Sequence, residues 1–427
     1  MRCRWRVSHM PSRDRGLARG GPDGAPRHAP APVGTTDATH RRRRCVIYLD
    51  HNATTPVPPE VLDAVQPYFR DTFANPSSQH RLGERARAAL EDARERVAAA
   101  LGVRPAEIVF TSGGTESIHG ALCGMTSCGA RALVTTRVEH TAAALCADRL
   151  EKEGVPVHRL PVDRSGRVQP NVLEEALEAA GAPAALNLIW ANNETGVLQD
   201  VQLLGGLARA RGAIVHLDGV QLAGKGMPCL QDLPADMVSL SGHKFGAPKG
   251  AGVLWMRRGA PVRPRFAPGH QEGGLRGGTE NLPGIVGLAR ALEVAKERWS
   301  ENVSRIEALR DGLQRRIVEA LPGTLVNGGD APRIANTLNL SFHGIEGAGV
   351  VHSLSEEDIH VSSGSACLSD VDGPSPVLAA MGVPLDFIHG SLRFSLSWTT
   401  TSEEIDRVVD VTVGVVRRLQ AMNPSRD

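Results

Sequence analysis

Short apolar runs alternate with amphipathic stretches along most of this chain, and this alternation restricts the fold more than any other feature. The apolar runs at 107–112, 132–136, 185–191, 213–218 and 236–241 predict β-strands. The stretches between them carry apolar residues at three- and four-residue spacing, which is typical of amphipathic helices. Strands and helices in alternation predict right-handed βαβ units. We therefore expect an α/β fold with a mostly parallel sheet covered by helices on both faces.

Polar clusters directly follow several of these predicted strands. They read SGGTES after the first strand, NNETG after LIWA, DGVQ after IVHL and SGHK after VSL. Ligands of open α/β sheets bind at the carboxyl ends of the strands. We therefore expect the clusters to converge at one edge of the sheet and to form a ligand site there.

The chain divides into regions of different character. Residues 1–45 are basic, rich in Arg, Pro, Gly and Ala, and lack an apolar period, so we predict a disordered extension; a transit peptide has a similar composition. We predict a large domain over residues 46–300 and a small C-terminal domain over residues 301–427, with the boundary inside a long helix that begins at about Leu282. The segment up to about Tyr68 is expected to pack with the small domain.

Composition argues against several functional classes. The formal net charge is +1, so neither nucleic acid nor a membrane surface is expected as a partner. No run approaches the roughly 18–20 apolar residues of a membrane span. The seven cysteines are scattered, with no C-x-x-C pair and no Cys/His cluster at zinc spacing. We therefore expect free thiols, no metal site, and a reducing, cytoplasmic compartment.

A phosphate-binding loop is predicted where the first strand passes into a helix. The sequence TSGGTES at 111–117 includes Gly114, and exposed amides at a helix N-terminus bind phosphate. Thr115 can add a hydroxyl, and Ser241 and His243 can bind the same phosphate from the end of another strand. Taken alone, the loop is better explained as a plain helix N-cap.

Other polar residues indicate which molecule would carry this phosphate. Asp218 ends a strand, where its carboxylate can pair with a cationic ring nitrogen, and Gln221 can donate to a ring oxygen. Lys244 can form a Schiff base. Each residue also has an ordinary alternative, as a helix cap, a polar loop residue or a solvated lysine. Together they are the groups that bind pyridoxal 5′-phosphate, whose ring withdraws electrons while a carboxylate keeps it protonated.

Three further residues are candidates for the reaction itself. His140 opens a predicted helix and can stack on a ring and transfer protons, or simply cap the helix. Arg393 lies on a predicted strand of the small domain, where it can clamp a substrate carboxylate or lie at the surface. Cys367 lies in the stretch HVSSGSACLSDVDGPSP at 360–376. Small and polar neighbours predict a mobile loop with an accessible, nucleophilic thiol, whereas a lone cysteine is more often inert packing.

In this order the motifs resemble those of cysteine desulfurases of the NifS/IscS type, in the class V branch of the fold-type-I pyridoxal-phosphate enzymes. The resemblance runs from about Tyr48 to Leu419. The motifs that carry it are YLDHNATTP, NPSS, FTSGGTES, VEH, WANNETG, LDGVQLAGK, SGHKFGAPKG, GGLRGGTEN, SSGSAC and LRFSLS. It implies a large domain on a mostly parallel seven-stranded sheet and a smaller α+β domain.

The resemblance also implies a role for each site residue. The cofactor would be held by Gly114, Thr115, His140, Asn193, Asp218, Gln221, Ser241, His243 and Lys244, and by Thr279 from the second subunit of a homodimer. The residues implied to act on the substrate are Cys367, Lys244 and His140, with Arg393 and Asn193 binding it.

The implied reaction converts L-cysteine to L-alanine. Cys367 takes the sulfur as a persulfide and passes it to an acceptor, typically a scaffold for iron–sulfur cluster assembly, which would give Cys367 a transient iron–sulfur contact. After Cys367 the stretch LSDVDGPSPVLAAMGVPLD departs from the usual small-residue run and resembles selenocysteine lyases, so L-selenocysteine is the alternative substrate. A non-catalytic scaffold fits less well, because every implied catalytic position is filled. A transaminase would have no use for Cys367.

Overall fold

The computed structural model describes residues 46–363 and 373–422. The predicted basic extension and Cys367 lie outside the described residues. Within them the strands are β1 Ile47–Tyr48, β2 Ile108–Thr111, β3 Leu133–Thr136, β4 Val157–Leu160, β5 Ala185–Ile189, β6 Ile214–Asp218, β7 Met237–Ser241, β8 Gly252–Met256, β9 Leu325–Val326, β10 Thr337–Ser341, β11 Ile359–His360, β12 Ser362–Ser363 and β13 Ser391–Ser395. The helices are α1 Pro59–Val65, α2 Pro67–Arg70, α3 Arg81–Leu101, α4 Gly114–Ser127, α5 Thr141–Lys152, α6 Pro170–Ala180, α7 Val201–Ala210, α8 Leu282–Ala320, α9 Gly347–Ser355, α10 Pro376–Ala380, α11 Leu385–Ile388 and α12 Ser402–Met422.

The central sheet of the described residues has seven strands, in the order β2-β8-β7-β6-β5-β3-β4. Strand β3 pairs in parallel with β4 and β5, and β5, β6 and β7 continue the parallel series. The apolar runs predicted as strands correspond to β2, β3, β5, β6 and β7. The α/β fold with a mostly parallel sheet is therefore confirmed.

Strand β8 is the exception, since it runs antiparallel to both β2 and β7. Only residues 242–251 connect β7 to β8. A crossover that returns a strand in parallel needs about a dozen residues or more, whereas an antiparallel return does not. The short connection therefore fixes the direction of β8, and it also carries His243 and Lys244 at the edge of the sheet.

Two hydrophobic clusters lie on either side of the middle of α8. Leu288 and Leu292, in its first half, pack in the cluster that surrounds the central sheet. Ile306 and Leu313, in its second half, pack in a cluster with β10, β13 and α12. The long helix thus contributes to both cores, and the domain boundary at residues 300 and 301 stays a prediction.

Arg393 lies in a smaller antiparallel sheet, whose strands are ordered β12-β13-β10-β9. Arg393 stands on β13 opposite Asn339 of β10 on one side and Ser362 of β12 on the other. The N-terminal strand β1 pairs with β11, and Leu49 packs in the second cluster, while Val61 of α1 packs in the first. Among the described helices, none has an apolar stretch long enough to cross a bilayer.

Candidate active site

A cavity of ≈ 200 Å³ lies at the carboxyl ends of the parallel strands. All the residues of this chain that the sequence resemblance assigned to the cofactor line it. The lining consists of Gly114, Thr115, Ile118, His140, Ile189, Ala191, Asn193, Asp218, Val220, Gln221, Ser241, His243 and Lys244. The structure therefore brings together in one cavity polar clusters from four separate loops of the sequence.

The N-terminus of α4 forms one end of the cavity. Gly114 is buried there, and a Cβ built on it would come within 2.8 Å of the side chain of Val220 and 3.4 Å of that of Ser241. Any larger residue here would require the side chain of Val220 to move, so glycine suits this close approach. The amides of the first helical turn, with the hydroxyls of Thr115 and Ser241, form a cradle of donors that suits an anion.

Lys244 enters the cavity from the loop after β7. Its Nζ donates to the backbone oxygens of Asn52 and Ala53, at 2.7 and 2.9 Å. Gln221 donates from Nε2 to the same oxygen of Asn52 at 3.1 Å. The N-terminal segment thus holds the lysine and the amide side by side. His243, next in sequence to the lysine, has its pKa lowered to about 4 by burial and by the charge of Lys244.

Asp218 supplies a buried carboxylate at the end of β6. One oxygen, Oδ1, accepts from the backbone N–H of Val220 at 3.0 Å. Burial raises the pKa of Asp218 to about 6, and this rise is opposed by the Val220 hydrogen bond and by the charge of Lys244. A carboxylate in this position is stabilised by a cation placed in the cavity, which would lower its pKa again.

His140 caps α5 and is fixed in one tautomer. Its Nδ1 accepts from the backbone N–H of Ala142 at 3.1 Å. Burial and the charge of Lys244 lower its pKa to about 4, so the ring is neutral near pH 7. Because Nδ1 is the acceptor, the single proton of the neutral ring lies on Nε2. His140 therefore presents an N–H donor to the site.

Arg393 reaches the site from the small sheet. It is 2% exposed, and its Nη1 donates to the backbone oxygen of Asn193 at 3.0 Å. Its Nη2 donates to a carboxylate oxygen of Asp50 at 2.5 Å, while Nε has no partner among the described residues. Arg393, which was predicted to bind the carboxylate of the substrate, thus binds the carboxylate of Asp50 in this structure. The side-chain oxygen of Asn193 is also buried without a described partner.

Neither Arg393 nor Thr279 is among the residues that line this cavity. Thr279 is exposed, and its hydroxyl accepts a long hydrogen bond from Asn75 at 3.5 Å. The contact of Thr279 with the cofactor phosphate of a second subunit remains a prediction. Cys367 lies outside the described residues, but both ends of its segment are described. Ser363 ends β12 beside β13, and Ser375 donates from its hydroxyl to the buried carboxylate of Glu194 at 2.6 Å.

A second cavity, of ≈ 520 Å³, shares His140 and Asn193 with the first. It is also lined by Glu194 and by Pro376 and Ala380 of α10. Burial raises the pKa of Glu194 to about 7. The described residues that follow the segment containing Cys367 therefore line a cavity that adjoins the candidate active site.

Sequence reasoning missed the residues that hold the site together. Asn52 donates to Thr337 at 2.8 Å and accepts from Lys225 at 3.4 Å, besides its contact with Lys244. Lys225 is buried, and burial, with the charges of Lys244 and Arg393, lowers its pKa to about 7. Both residues stand in the quoted motifs YLDHNATTP and LDGVQLAGK, but no spacing rule assigned them a role.

Comparison with known proteins agrees with this geometry. Residues 47–408 match the family described as Aminotransferase class-V. The chain belongs to this family. Its members are generally pyridoxal-phosphate enzymes, and the chain is a pyridoxal-phosphate-dependent enzyme.

Individual relatives cover nearly all of the described chain. Cysteine desulfurase 2 of Trichormus variabilis is 45% identical over 381 residues, which is 89% of this chain and 95% of the relative. A solved NifS-like protein superposes with a TM-score of 0.81 and 36% identity, covering 88% of this chain and all of the other. The structure of SspA in complex with cysteine superposes with a TM-score of 0.69 and 32% identity, covering 82% of this chain and 98% of the other.

Proposed function

We propose that this class-V family member is a cysteine desulfurase. In the net reaction L-cysteine and the thiol of Cys367 give L-alanine and a persulfide on Cys367. The observation that carries the proposal is that a lysine, a buried carboxylate and an anion cradle line one cavity, with a buried arginine beside it. The names of the relatives, among them a protein solved in complex with cysteine, support the same substrate.

The residues of the cavity fit pyridoxal 5′-phosphate. The cradle that excludes a Cβ at Gly114 suits the phosphate, Asp218 suits a ring cation, and Asn193 has a buried side-chain oxygen without a described partner. Lys244 would hold the aldehyde carbon and Gln221 the ring hydroxyl. When bound, pyridoxal phosphate supplies an electron-withdrawing ring that stabilises the charge left when the α-proton of an amino acid departs.

The chain's own groups orient the substrate and move its protons. Arg393 would bind the carboxylate of the amino acid, since its guanidinium already binds one carboxylate and carries an unpartnered Nε. His140 would act first as a proton donor from Nε2, because its Nδ1 is occupied by the backbone of α5. Lys244, held next to the N-terminal segment, would be the base for the α-proton.

Cys367 would attack the sulfur of the substrate. A bond forms between the thiolate sulfur and the substrate sulfur, the bond from that sulfur to Cβ breaks, and the carbon skeleton takes up a proton to leave as alanine. The described ends of the segment support this role, because they attach beside Arg393 and at Glu194. The persulfide would then pass to an acceptor thiol, for which we propose an iron–sulfur assembly scaffold.

We further propose a homodimer in a reducing cytoplasm. The support for the dimer is that Thr279 is exposed on a segment outside the cavity, so its predicted phosphate contact requires a second copy. The support for the compartment is that the described cysteines are free thiols. Light scattering on the purified enzyme checks the dimer, and a Thr279→Val variant should bind pyridoxal phosphate more weakly in cofactor titrations.

The experiment that tests the proposed function incubates the enzyme with L-cysteine under reducing-agent-free conditions. We expect alanine to appear, and peptide mass spectrometry to find one added sulfur atom on Cys367. A Cys367→Ser variant should keep the cofactor absorbance and release no sulfur. Undiminished sulfur release by that variant would refute the proposed mechanism. The same assay with L-selenocysteine decides between the two chalcogens by the ratio of the two kcat/KM values.

A further inference from the structure

A cluster of two cysteines and a histidine lies on α4 and α5, outside the candidate active site. His119 and Cys123 stand four residues apart on one face of α4, and Cys146 faces them from α5. The three ligand atoms all lie within 4.8 Å of one another. Cys123 and Cys146 are each 7% exposed. Sequence spacing alone gave no indication of a metal site, because the third ligand comes from another helix.

Two of the three distances within the cluster match the edges of a tetrahedral zinc site, and the third lies within 4.8 Å. Zinc binds sulfur at about 2.3 Å and imidazole nitrogen at about 2.0–2.1 Å, so tetrahedral angles place two sulfurs about 3.8 Å apart and a sulfur and a nitrogen about 3.5 Å apart. In the structure the Sγ atoms of Cys123 and Cys146 are 3.9 Å apart. The Sγ of Cys123 and the Nε2 of His119 are 3.5 Å apart. The distance between the two sulfur atoms is too long for a disulfide bond.

The imidazole of His119 presents the correct atom to the cluster. Its Nε2 lies 3.2 Å from the guanidinium of Arg149, which can only donate. Nε2 is therefore the unprotonated nitrogen; its lone pair accepts from Arg149, and the sulfur of Cys123 lies 3.5 Å away. Arg149 also binds Glu153 at 2.8 Å and is exposed, so it can give up the imidazole without losing its carboxylate partner.

A cavity of ≈ 420 Å³ adjoins the cluster and leaves room for a fourth ligand. His119, Cys123 and Glu153 line this cavity, together with Arg149 and Arg265. Three protein ligands with an open fourth position form an arrangement that zinc commonly takes, with water or a small ligand completing the tetrahedron. Two thiolates balance the charge of a divalent ion, and soft thiolate ligands favour zinc over magnesium or calcium.

We propose that His119, Cys123 and Cys146 form a zinc-binding site, distinct from the cofactor cavity. Binding of Zn²⁺ displaces one proton from each thiol, and neutral His119 donates its lone pair without losing a proton. The site would tie α4 to α5. Helix α4 begins at Gly114 of the anion cradle, and His140 caps the start of α5. Zinc is thereby expected to stabilise the relative position of the anion cradle and the proton donor.

The test measures zinc in the reduced, cofactor-loaded full-length enzyme after dialysis against Zn²⁺ and then against buffer. Mass spectrometry of the metal should find about one zinc ion per chain. X-ray absorption at the zinc edge should show two sulfur ligands and one imidazole. Added Zn²⁺ should raise the thermal midpoint of this enzyme.

Matched variants separate this site from the other thiols. Cys123→Ser and Cys146→Ser should each retain less than about a tenth of the zinc, with cofactor absorbance as the check on folding. Cys128→Ser, at the end of α4, and Cys367→Ser should retain all of it. Zinc that persists in the first pair, or disappears with Cys367→Ser, would overturn the proposal. So would the absence of bound zinc from the reduced wild-type enzyme.

Discussion

The guanidinium of Arg393 and the carboxylate of Asp50 form a partly buried ion pair, with Nη2 and Oδ1 2.5 Å apart. The arginine side chain is 3% exposed and the aspartate side chain 21% exposed. The pair joins the N-terminal segment to the small sheet at the margin of the candidate active site. An amino-acid carboxylate that binds Arg393 must therefore share the guanidinium with Asp50 or replace it.

Replacing Asp50 should make the enzyme depend on an amino-acid ligand for stability. Asp50→Asn leaves the buried guanidinium without its counter-charge, which typically costs about 3–5 kcal/mol. The carboxylate of L-alanine, the proposed product, can restore that charge. We expect a lower thermal midpoint for the variant and a larger rise on adding L-alanine than in the wild type. Asp406→Asn, which removes an exposed carboxylate partner of Arg316, is the control and should show neither effect. Equal alanine-induced shifts in Asp50→Asn and the wild type would contradict the proposed sharing.

The carboxylate of Asp218 should be needed for the reaction more than for binding the cofactor. Asp218→Asn keeps the shape of the side chain but cannot stabilise a ring cation in the cavity. Loss of one such preorganised electrostatic contact costs about 10²–10³ in kcat. We therefore expect cofactor absorbance to persist while alanine formation falls by at least about a hundredfold. An Asn variant with a wild-type rate would show that the carboxylate has no electrostatic role.

Lys225 should impose a pH dependence on stability. Its pKa is lowered to about 7 by burial, whereas in the unfolded chain it lies at 10.5. Between these values the unfolded state holds a proton that the folded state lacks, so stability rises with pH, by about 1.4 kcal/mol per pH unit. Lys225→Met fills a similar volume without a titrating group. Urea unfolding of the reduced enzymes at pH 7, 8 and 9 gives the free energy of unfolding at each pH. Its rise per pH unit should be smaller in the variant by about 1.4 kcal/mol. Equal slopes in the two enzymes would contradict a lowered pKa for Lys225.

Ser375 should position the segment that contains Cys367. Its hydroxyl donates to Glu194 and also accepts from the backbone N–H of Leu378 at the start of α10. Ser375→Ala removes both contacts, and the lost cap alone costs about 1 kcal/mol. We expect normal cofactor binding, an unchanged KM for L-cysteine and a lower rate of persulfide formation on Cys367. Ser353→Ala, on α9, is the control, because its hydroxyl only bonds within its own helix. Wild-type persulfide formation by Ser375→Ala would contradict this role.

The sequence predicts those parts of the fold whose signal is local. The strands that end at Thr111, Asp218 and Ser241 are visible as apolar runs followed by polar clusters, and their parallel pairing makes the clusters converge. Strand β8 is not among the predicted strands, and its antiparallel direction depends on the length of a loop and not on its own composition.

The missed site residues depend on contacts that are distant in sequence. Asn52 contacts Asn193, Gln221, Lys225, Lys244 and Thr337, and the segment that carries it pairs with strands near the other end of the chain. No periodicity or residue spacing in the sequence predicts that these distant segments contact Asn52. The pairing of Arg393 with Asp50, and the approach of Cys146 to Cys123, arise in the same way.

The central claim is that Lys244 carries pyridoxal phosphate, and borohydride reduction tests it most directly. Reduction of the purified holoenzyme, followed by digestion and peptide mass spectrometry, should place a pyridoxyl group on Lys244. Lys225 is the internal comparison, since it is a buried lysine with a pKa lowered to about 7 that does not line the cavity. A pyridoxyl group on Lys225, or on no lysine at all, would contradict the account.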